Sequence, residues 1–432
     1  MEISNNRIKV TSMKTFAKFF LHFSLVILSC LMAGCTSEVE TIGGTPETPE
    51  NPQANDPNRR SVVISFQNKL ILVNGTPESR VVTRDGIAEE DENRIESFDI
   101  YAFGSDKEEG PYTFQERFAY RSDAGTLPAG ASPLELKADE TAGKINVVFY
   151  PRKGLFTKFY CVANQTEMND AAGNIYTNYT PLQQSSQPQS SVPGDMITSP
   201  GTPTESDFVK LNTPLLNPTG FNADVLLAPL PMSGANSQPT DLREYRMGTY
   251  VRLNVSLTRA VARFDIVNDA TKSHFTITDI SMGNGRQGVT LFPIRPTGDV
   301  PATNGQLITY PYRLFDGLNA NAGTTTKAFY CYPCKAIDAG FLILKGLYAM
   351  NLTDEKKEVS YRIPFERVTD GDGSLIEINH NHRYTVQITE ADPFELTANI
   401  RLVDWETGDY IDDYEPENGL ETVIVADLLP AT

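Results

Sequence analysis

Ile95-Glu96-Ser97-Phe98-Asp99-Ile100-Tyr101-Ala102-Phe103 is the stretch on which the fold turns. Period-two alternation sets Ile95, Asp99, Tyr101 and Phe103 on one side and Glu96, Phe98, Ile100 and Ala102 on the other. Both sides carry aromatic or branched residues, so the run predicts a strand inside a sandwich of sheets and not one with a solvated face. Working outward, Ser61 to Val73 alternates Val62, Ile64 and Phe66 onto one face. Comparable runs follow at Lys144 to Tyr150, Phe156 to Ala163, Tyr250 to Leu257, Val261 to Val267 and His274 to Met282. Others lie at Thr326 to Cys331, Gly340 to Tyr348, Glu358 to Ile363, Tyr384 to Ile388 and Leu396 to Val403. Strand after strand with turn signals between predicts an all-β chain of antiparallel sandwiches. The one helical expectation is a short helix over Gln165 to Ala172.

The chain has 432 residues, with 30 Gly, 28 Pro and 40 Phe plus Tyr, which suits strands joined by turns and excludes a helical bundle. Its length gives room for more than one core. Acidic residues outnumber basic ones 55 to 37, a net charge of −18, so the surface field repels phosphate backbones and nucleic acid is not an expected partner. Asn217 to Arg246 is turn-rich, and strands resume from Tyr250. A boundary near Ala235 to Arg246 therefore divides an N-terminal sandwich, residues 85–240, from a C-terminal one, residues 241–405. The Ser/Pro/Gln/Thr-rich segment Leu182 to Glu205 reads as an exposed insertion.

Met13-Lys14-Thr15-Phe16-Ala17-Lys18 places cations ahead of an apolar run, Phe19 to Ala33, too short to span a membrane; residues 1–34 read as a signal peptide. Met13 is an alternative start, which would make residues 1–12 an upstream extension. The leader ends Leu31-Met32-Ala33-Gly34-Cys35, which resembles a bacterial lipobox and marks Cys35 for lipidation. Two or three acyl chains there would give stable anchoring to a membrane. Cys30 is the weaker acceptor, and an ordinary secretory leader is the alternative. Residues 35–60 read as a disordered tether.

Lys158-Phe159-Tyr160-Cys161-Val162-Ala163-Asn164 resembles a "FYxVAN" strand ending, and Leu230-Pro231-Met232-Ser233-Gly234 a "PMSG" turn. Leu257-Thr258-Arg259-Ala260-Val261-Ala262-Arg263-Phe264 is similar to a "RAVAR" strand, Asn381-His382-Arg383-Tyr384-Thr385-Val386 to an "NHRYTV" strand entry, and Val403-Asp404-Trp405 to a "VxW" strand end. In this order behind a lipobox, the set resembles the fimbrillins of Bacteroidales bacteria, precursor pilins processed by proteases. The resemblance implies two transthyretin-like β-sandwich domains in tandem and a structural, adhesive role in a cell-surface fimbria. It further implies a lipoprotein precursor at the outer membrane and an arginine-specific protease that cuts after the first strand. Other fimbrial subunits would be partners through donor-strand exchange, and a host or bacterial surface receptor could follow.

On that pattern residues 61–84 are a removable first strand and cleavage loop, with Arg84 the first choice of processed bond and Arg80 the second. Strand loss exposes unpaired backbone and an apolar face, the edge hazard that strand addition exploits. Burying Val62, Ile64, Phe66, Leu70 and Leu72 is worth about 1.5 to 3 kcal/mol per side chain, which a donor strand could recover. Cutting at Arg59-Arg60 would leave the strand in place. The tail, residues 406–432, holds a β-prone run whose Leu420, Thr422, Ile424, Ala426 and Leu428 share a face. It reads as a donor strand or as an edge strand of its own domain.

Sharper chemistries fall away. Gly283-Asn284-Gly285-Arg286-Gln287-Gly288 has phosphate-loop spacing but opens no helix. His380-Asn381-His382 lacks a third ligand nearby, Asp370-Gly371-Asp372-Gly373 fits a hairpin turn, and the acidic run Glu89 to Glu92 reads as a solvated loop. Cys331-Tyr332-Pro333-Cys334 has redox spacing without a helix N-terminus. No cofactor or metal is expected, and nothing argues for an enzyme. Two readings beside the pilin remain: a tip, accessory or anchor subunit of such a fimbria, and a surface glycan-binding lipoprotein. The second would need aromatic platforms, and Trp405 is the lone tryptophan.

Overall fold

The computed structural model describes residues 52–66, 71–72, 90–123, 126–139, 144–170, 175–177, 204–220, 223–243, 249–292, 303–315, 321–351, 354–367, 374–405 and 427–428. Fifteen strands make the framework. In the N-terminal half they are β1 (Val62–Phe66), β2 (Ser97–Ser105), β3 (Thr113–Arg121), β4 (Glu135–Asp139), β5 (Lys144–Phe149), β6 (Phe156–Ala163), β7 (Met232–Asp241) and β8 (Val251–Val255). In the C-terminal half they are β9 (Ala262–Asp269), β10 (Phe275–Gly283), β11 (Ala322–Cys331), β12 (Phe341–Tyr348), β13 (Lys357–Pro364), β14 (His382–Ala391) and β15 (Leu396–Asp404). Every run expected from alternation is a strand. Among the described residues no helix is long and apolar enough to cross a membrane.

In the N-terminal half one sheet runs β8-β1-β5-β4. The other runs Thr258–Arg259, β7, β6, β2, β3, Ala131–Pro133. Val62, Ile64, Phe66, Val147 and Phe149 from the first sheet share a core with Phe98, Ile100, Phe118, Phe159 and Cys161 from the second, which makes the pair a sandwich. Strand β2 is buried along its whole length. Its opposite face, Tyr101 and Phe103, lies in a separate aromatic cluster with Phe114, Phe208 and Phe292. The two-faced pattern of residues 95–103 thus feeds two cores.

The C-terminal half repeats the plan with sheets β11-β9-β14-β15 and Arg313–Leu314, β10, β12, β13, Asp427–Leu428. Phe264, Ile266, Tyr384 and Val386 face Ile280, Met282, Leu344 and Tyr361 across one core. Most pairings are antiparallel, but β1 runs parallel to β8 and β9 parallel to β14. The halves also share a splice: the amide of Asn212 donates to Asn169 O at 2.8 Å, that of Thr213 to Val289 O at 2.9 Å and that of Leu291 to Leu211 O at 3.0 Å. Phe292 packs on Tyr160 and Phe208 at 5.2 and 5.3 Å between ring centroids.

Two local expectations give way. Glu167–Asn169, inside the expected helix, is a short strand paired with Ile175–Thr177, because Met168 is drawn into the aromatic cluster. The "PMSG" segment opens β7 instead of making a turn: Met232 and Ser233 bridge β6 on one side and Thr258–Arg259 on the other. A Cβ at Gly234 would sit 2.3 Å from the carbonyl oxygen of Ser256, so this close approach requires glycine. Strand β8 pairs with β1, and Val255 and Leu257 join the N-terminal core. We therefore place the boundary between the sandwiches after Leu257, downstream of the 240/241 division that the turn-rich segment suggested.

Candidate assembly site

Alternation of Val62, Ile64 and Phe66 puts three side chains with no exposure into the N-terminal core, where Phe66 meets Phe98 edge-on at 5.3 Å. Strand β1 is an inner strand: Val62 to Phe66 pair in parallel with Val251 to Val255, and Val62 to Ser65 pair antiparallel with Phe149 to Asn146. The Ser65 hydroxyl donates to Asn146 Oδ1 at 2.6 Å. Withdrawing β1 would strip both neighbours of backbone partners and uncover the side chains that Val62, Ile64 and Phe66 shield.

The approach to β1 is pinned. Arg59 donates from Nη1 to Tyr150 O at 2.6 Å and pairs with Glu116 at 2.9 Å. The Arg60 amide donates to Pro151 O at 2.9 Å, and Arg60 is buried. Burial pushes the Glu116 carboxyl up, opposed by Arg59 and by the Arg152 amide that donates to it. The dibasic pair is thus held against the sheet, a poor substrate for a protease that needs an extended, accessible arginine.

Beyond β1, Ile71–Leu72 pair in parallel with Arg94–Ile95. Arg80, Arg84, Leu70 and Cys35 lie outside the described residues, and of Leu72 the structure gives the backbone pairing. The chain re-enters at a short turn, Glu90–Asn93. Here the expectation of a solvated acidic loop is overturned, because Glu92 is fully buried. Its Oε2 accepts from Arg263 Nη1 at 2.7 Å and faces Trp405 Nε1 at 3.4 Å, while Oε1 accepts from the Tyr330 hydroxyl at 2.6 Å. Asp91 pairs with Lys327 at 3.0 Å, and Asn93 accepts from Arg259.

The surrounding groups complete this socket. Arg263 Nε donates to Asp265 at 2.7 Å. Burial works to lower the Arg263 pKa, but the carboxylates of Asp265 and Glu92 hold it above its ordinary value. Burial, then Glu92, raises the Tyr330 phenol well above its usual range. Arg259 lies over the Trp405 ring at 4.8 Å and donates to Asn381 Oδ1 at 3.1 Å. Arg259 and Arg263 come from the "RAVAR" run, Asn381 from "NHRYTV" and Trp405 from "VxW", so three motifs far apart in sequence meet around one carboxylate. The acidic run gave a sequence signal only of charge, not of which carboxylate turns inward.

At the other end, Asp427–Leu428 pair antiparallel with Arg362 and Tyr361 on the free edge of β13. Leu420, Thr422, Ile424 and Ala426 lie outside the described residues. Trp405 is buried in the socket and offers no exposed platform. Cys161, Cys331 and Cys334 are free and buried, and burial pushes the Cys334 thiol up to about 12. His380 is buried and pulled down to about 4 by desolvation and then by His382. The glycines at 283 and 285 sit under aromatic rings: a Cβ would fall 2.2 Å from Phe341 and 2.1 Å from Tyr310. Among the described residues no group of His, Cys, Asp and Glu is arranged to hold a metal ion.

No protein-family model and no curated protein matches the sequence. Solved structures similar to it include the tip fimbrial protein Mfa3 of Porphyromonas gingivalis with a C-terminal truncation, at 15% identity over 80% of this chain and 100% of that one, TM-score 0.45. Another is a fimbrial assembly protein of Parabacteroides distasonis, at 12% identity over 82% and 98%, TM-score 0.42. Both neighbours are fimbrial proteins of Bacteroidales. At such identities and scores, the function is argued from the site itself.

Proposed function

We propose that the chain is a structural subunit of a fimbria that polymerises by strand exchange and contributes to adhesion. The observation that carries this reading is β1, an inner strand with three fully buried side chains that precedes the arginine-bearing residues 73–89. On this reading the precursor is a lipoprotein acylated at Cys35 and held at the outer membrane. An arginine-specific protease cuts after Arg84, or after Arg80, and releases the upstream strand. The C-terminal run of a neighbouring subunit, with Leu420, Thr422, Ile424, Ala426 and Leu428 inward, then fills the slot. The pinned state of Arg59 and Arg60 supports a cut downstream of β1, since only that cut frees the strand. The mature unit comprises two sandwiches, residues 85–257 and 258–405 in our division, with residues 406–432 as the tail.

Amino-terminal sequencing of the surface-exposed protein, with a gel of the native surface fraction run without boiling, tests the reading. It expects Asp85 or Val81 as the first residue and a ladder of polymers; an intact residue 61–73 segment on a monomer defeats it. A second reading is favoured by the pairing of Asp427–Leu428 with β13 of the same chain, which suits a tail kept at home as in a tip or accessory subunit. Deleting residues 420–432 separates the two, because a shaft subunit loses polymerisation and a tip subunit does not. An anchor subunit would keep its Arg84 bond uncut.

A further inference from the structure

We infer that Glu92 is a peg: a carboxylate carried just upstream of β2 and seated in a socket built by Arg263, Tyr330 and Trp405, it fastens residues 90–95 to the C-terminal sandwich independently of β1. The clause about what happens after cleavage rests on the proposed function, but the peg does not. Residues 94–95 are held on one side by pairing with Ile71–Leu72. That partner belongs to the upstream segment, so it is lost if the strand departs. What then remains is the set of contacts to the other half. Glu92 bonds Arg263 on β9 and Tyr330 on β11 and faces Trp405 at the end of β15. Asn93 accepts from Arg259 and Asp91 pairs with Lys327.

The chemistry of the socket makes it selective. Arg263 is buried and already shares Asp265, so a neutral residue at 92 leaves part of its charge and the Tyr330 hydroxyl without their acceptor in a site closed to water. An apolar face accepts many strands, whereas this pairing accepts a carboxylate at one distance from one arginine. The halves are separately spliced through residues 211–216 and 289–291, so removing the peg frees the segment without parting the sandwiches. The peg therefore acts on residues 90–95 and fixes where the retained N-terminus starts.

Trp405 is the lone tryptophan and lies in the socket, which gives a direct reporter. In the secreted full chain, Glu92→Ala should raise acrylamide quenching of Trp405 several-fold. It should accelerate amide exchange at residues 92–95 about a hundredfold or more and open the Arg94 bond to trypsin, with the far-ultraviolet spectrum unchanged. Glu92→Gln keeps the shape and an acceptor for Tyr330 while removing the charge opposite Arg263; it folds if Glu92→Ala does not, and should show the same changes at about a tenth of the size. Lys327→Met, which removes the outer ion pair to Asp91, should leave Trp405 quenching as in the parent. Unchanged quenching and exchange in both Glu92 variants overturns the inference, as does a Lys327→Met effect equal to that of Glu92→Ala. None of these readouts involves lipid, cleavage at Arg80 or Arg84, or polymer, so failure of the fimbrial reading would leave them intact.

Discussion

Removing β1 is the perturbation that most directly tests the assembly slot. Val62, Ile64 and Phe66 have no solvent exposure. At about 1.5 to 3 kcal/mol for each fully buried side chain, their loss withdraws about 5 to 9 kcal/mol of apolar burial. The edge-on contact of Phe66 with Phe98 adds about 0.5 to 1.5 kcal/mol. Such a sum rivals the whole stability of an ordinary domain, about 5 to 15 kcal/mol. A chain that begins at Asp85 should therefore have an N-terminal sandwich that is molten or needs a partner strand, while the C-terminal sandwich, which β1 does not touch, stays folded. Urea titration followed by far-ultraviolet circular dichroism should resolve two transitions in the truncated chain, the first at far lower urea than any in the parent. Adding a peptide of residues 61–73 should raise that first midpoint in proportion to the logarithm of peptide concentration once it exceeds its dissociation constant. The same peptide with Ile64→Asp should not, because a carboxylate cannot enter the slot unpaired. A truncated chain as stable as the parent, or equal rescue by both peptides, would refute the reasoning.

Other expectations are narrower. Phe66→Ala in the full chain should cost about 3 to 5 kcal/mol in urea unfolding. His380 has an ordinary value of 6.5 and a folded value of about 4. Above pH 6.5 both states hold the ring neutral and its stabilisation is fully present; as pH falls from 6.5 toward 4 the unfolded chain takes the proton first and stability is lost, by up to about 3 kcal/mol. His380→Gln should flatten that part of the pH profile. Gly346→Ala places a Cβ 2.1 Å from the carbonyl oxygen of Thr276 on β10, which forces β10 and β12 apart and should cost about 1 to 3 kcal/mol in thermal unfolding. In a chain that begins after Cys35, thiol reagents should modify Cys161, Cys331 and Cys334 only as fast as the protein unfolds, since all three are buried.

The framework was legible because strands announce themselves by alternation whenever one or both faces are buried. Residues 95–103 and 61–66 were read from that pattern alone, and β2 proved two-faced in the structure. Strand β7 was not legible, because Met-Ser-Gly-Ala-Asn-Ser-Gln-Pro-Thr-Asp has little strand propensity. Its pairing with β6 and the close approach of residue 256 at Gly234 hold it extended. Met168 made the same point in reverse, where a helix-compatible segment was drawn into strand form by a distant aromatic cluster. The slot strand was visible, and the socket was not. Arg259, Arg263, Asn381 and Trp405 stood out as parts of motifs, yet nothing in their spacing tells that they converge, since they lie up to 146 residues apart along the chain. Glu92 looked like any exposed acid because burial of a charge depends on partners that topology brings in from elsewhere.

The two sides of residues 73–89 are held by different kinds of force, and the difference bears on how a cut there could drive assembly. Upstream, β1 is secured by backbone pairing and by apolar burial, which is non-directional and indifferent to whose strand supplies it. Any strand with branched or aromatic residues at alternate positions can compete for that slot, and the tail run with Leu420, Ile424 and Leu428 has that pattern. Downstream, residues 90–95 are secured by Glu92 against Arg263 and Tyr330, a match of charge and geometry that a passing apolar strand cannot reproduce. A single cut between the two would therefore free the exchangeable piece and leave the specific one in place. The asymmetry predicts that in a mixture of cleaved chain and competitor strands the β1 slot turns over while residues 90–95 do not, and exchange measured at Val147 and at Asn93 in the same sample would show slow and fast protection reversed if the argument fails.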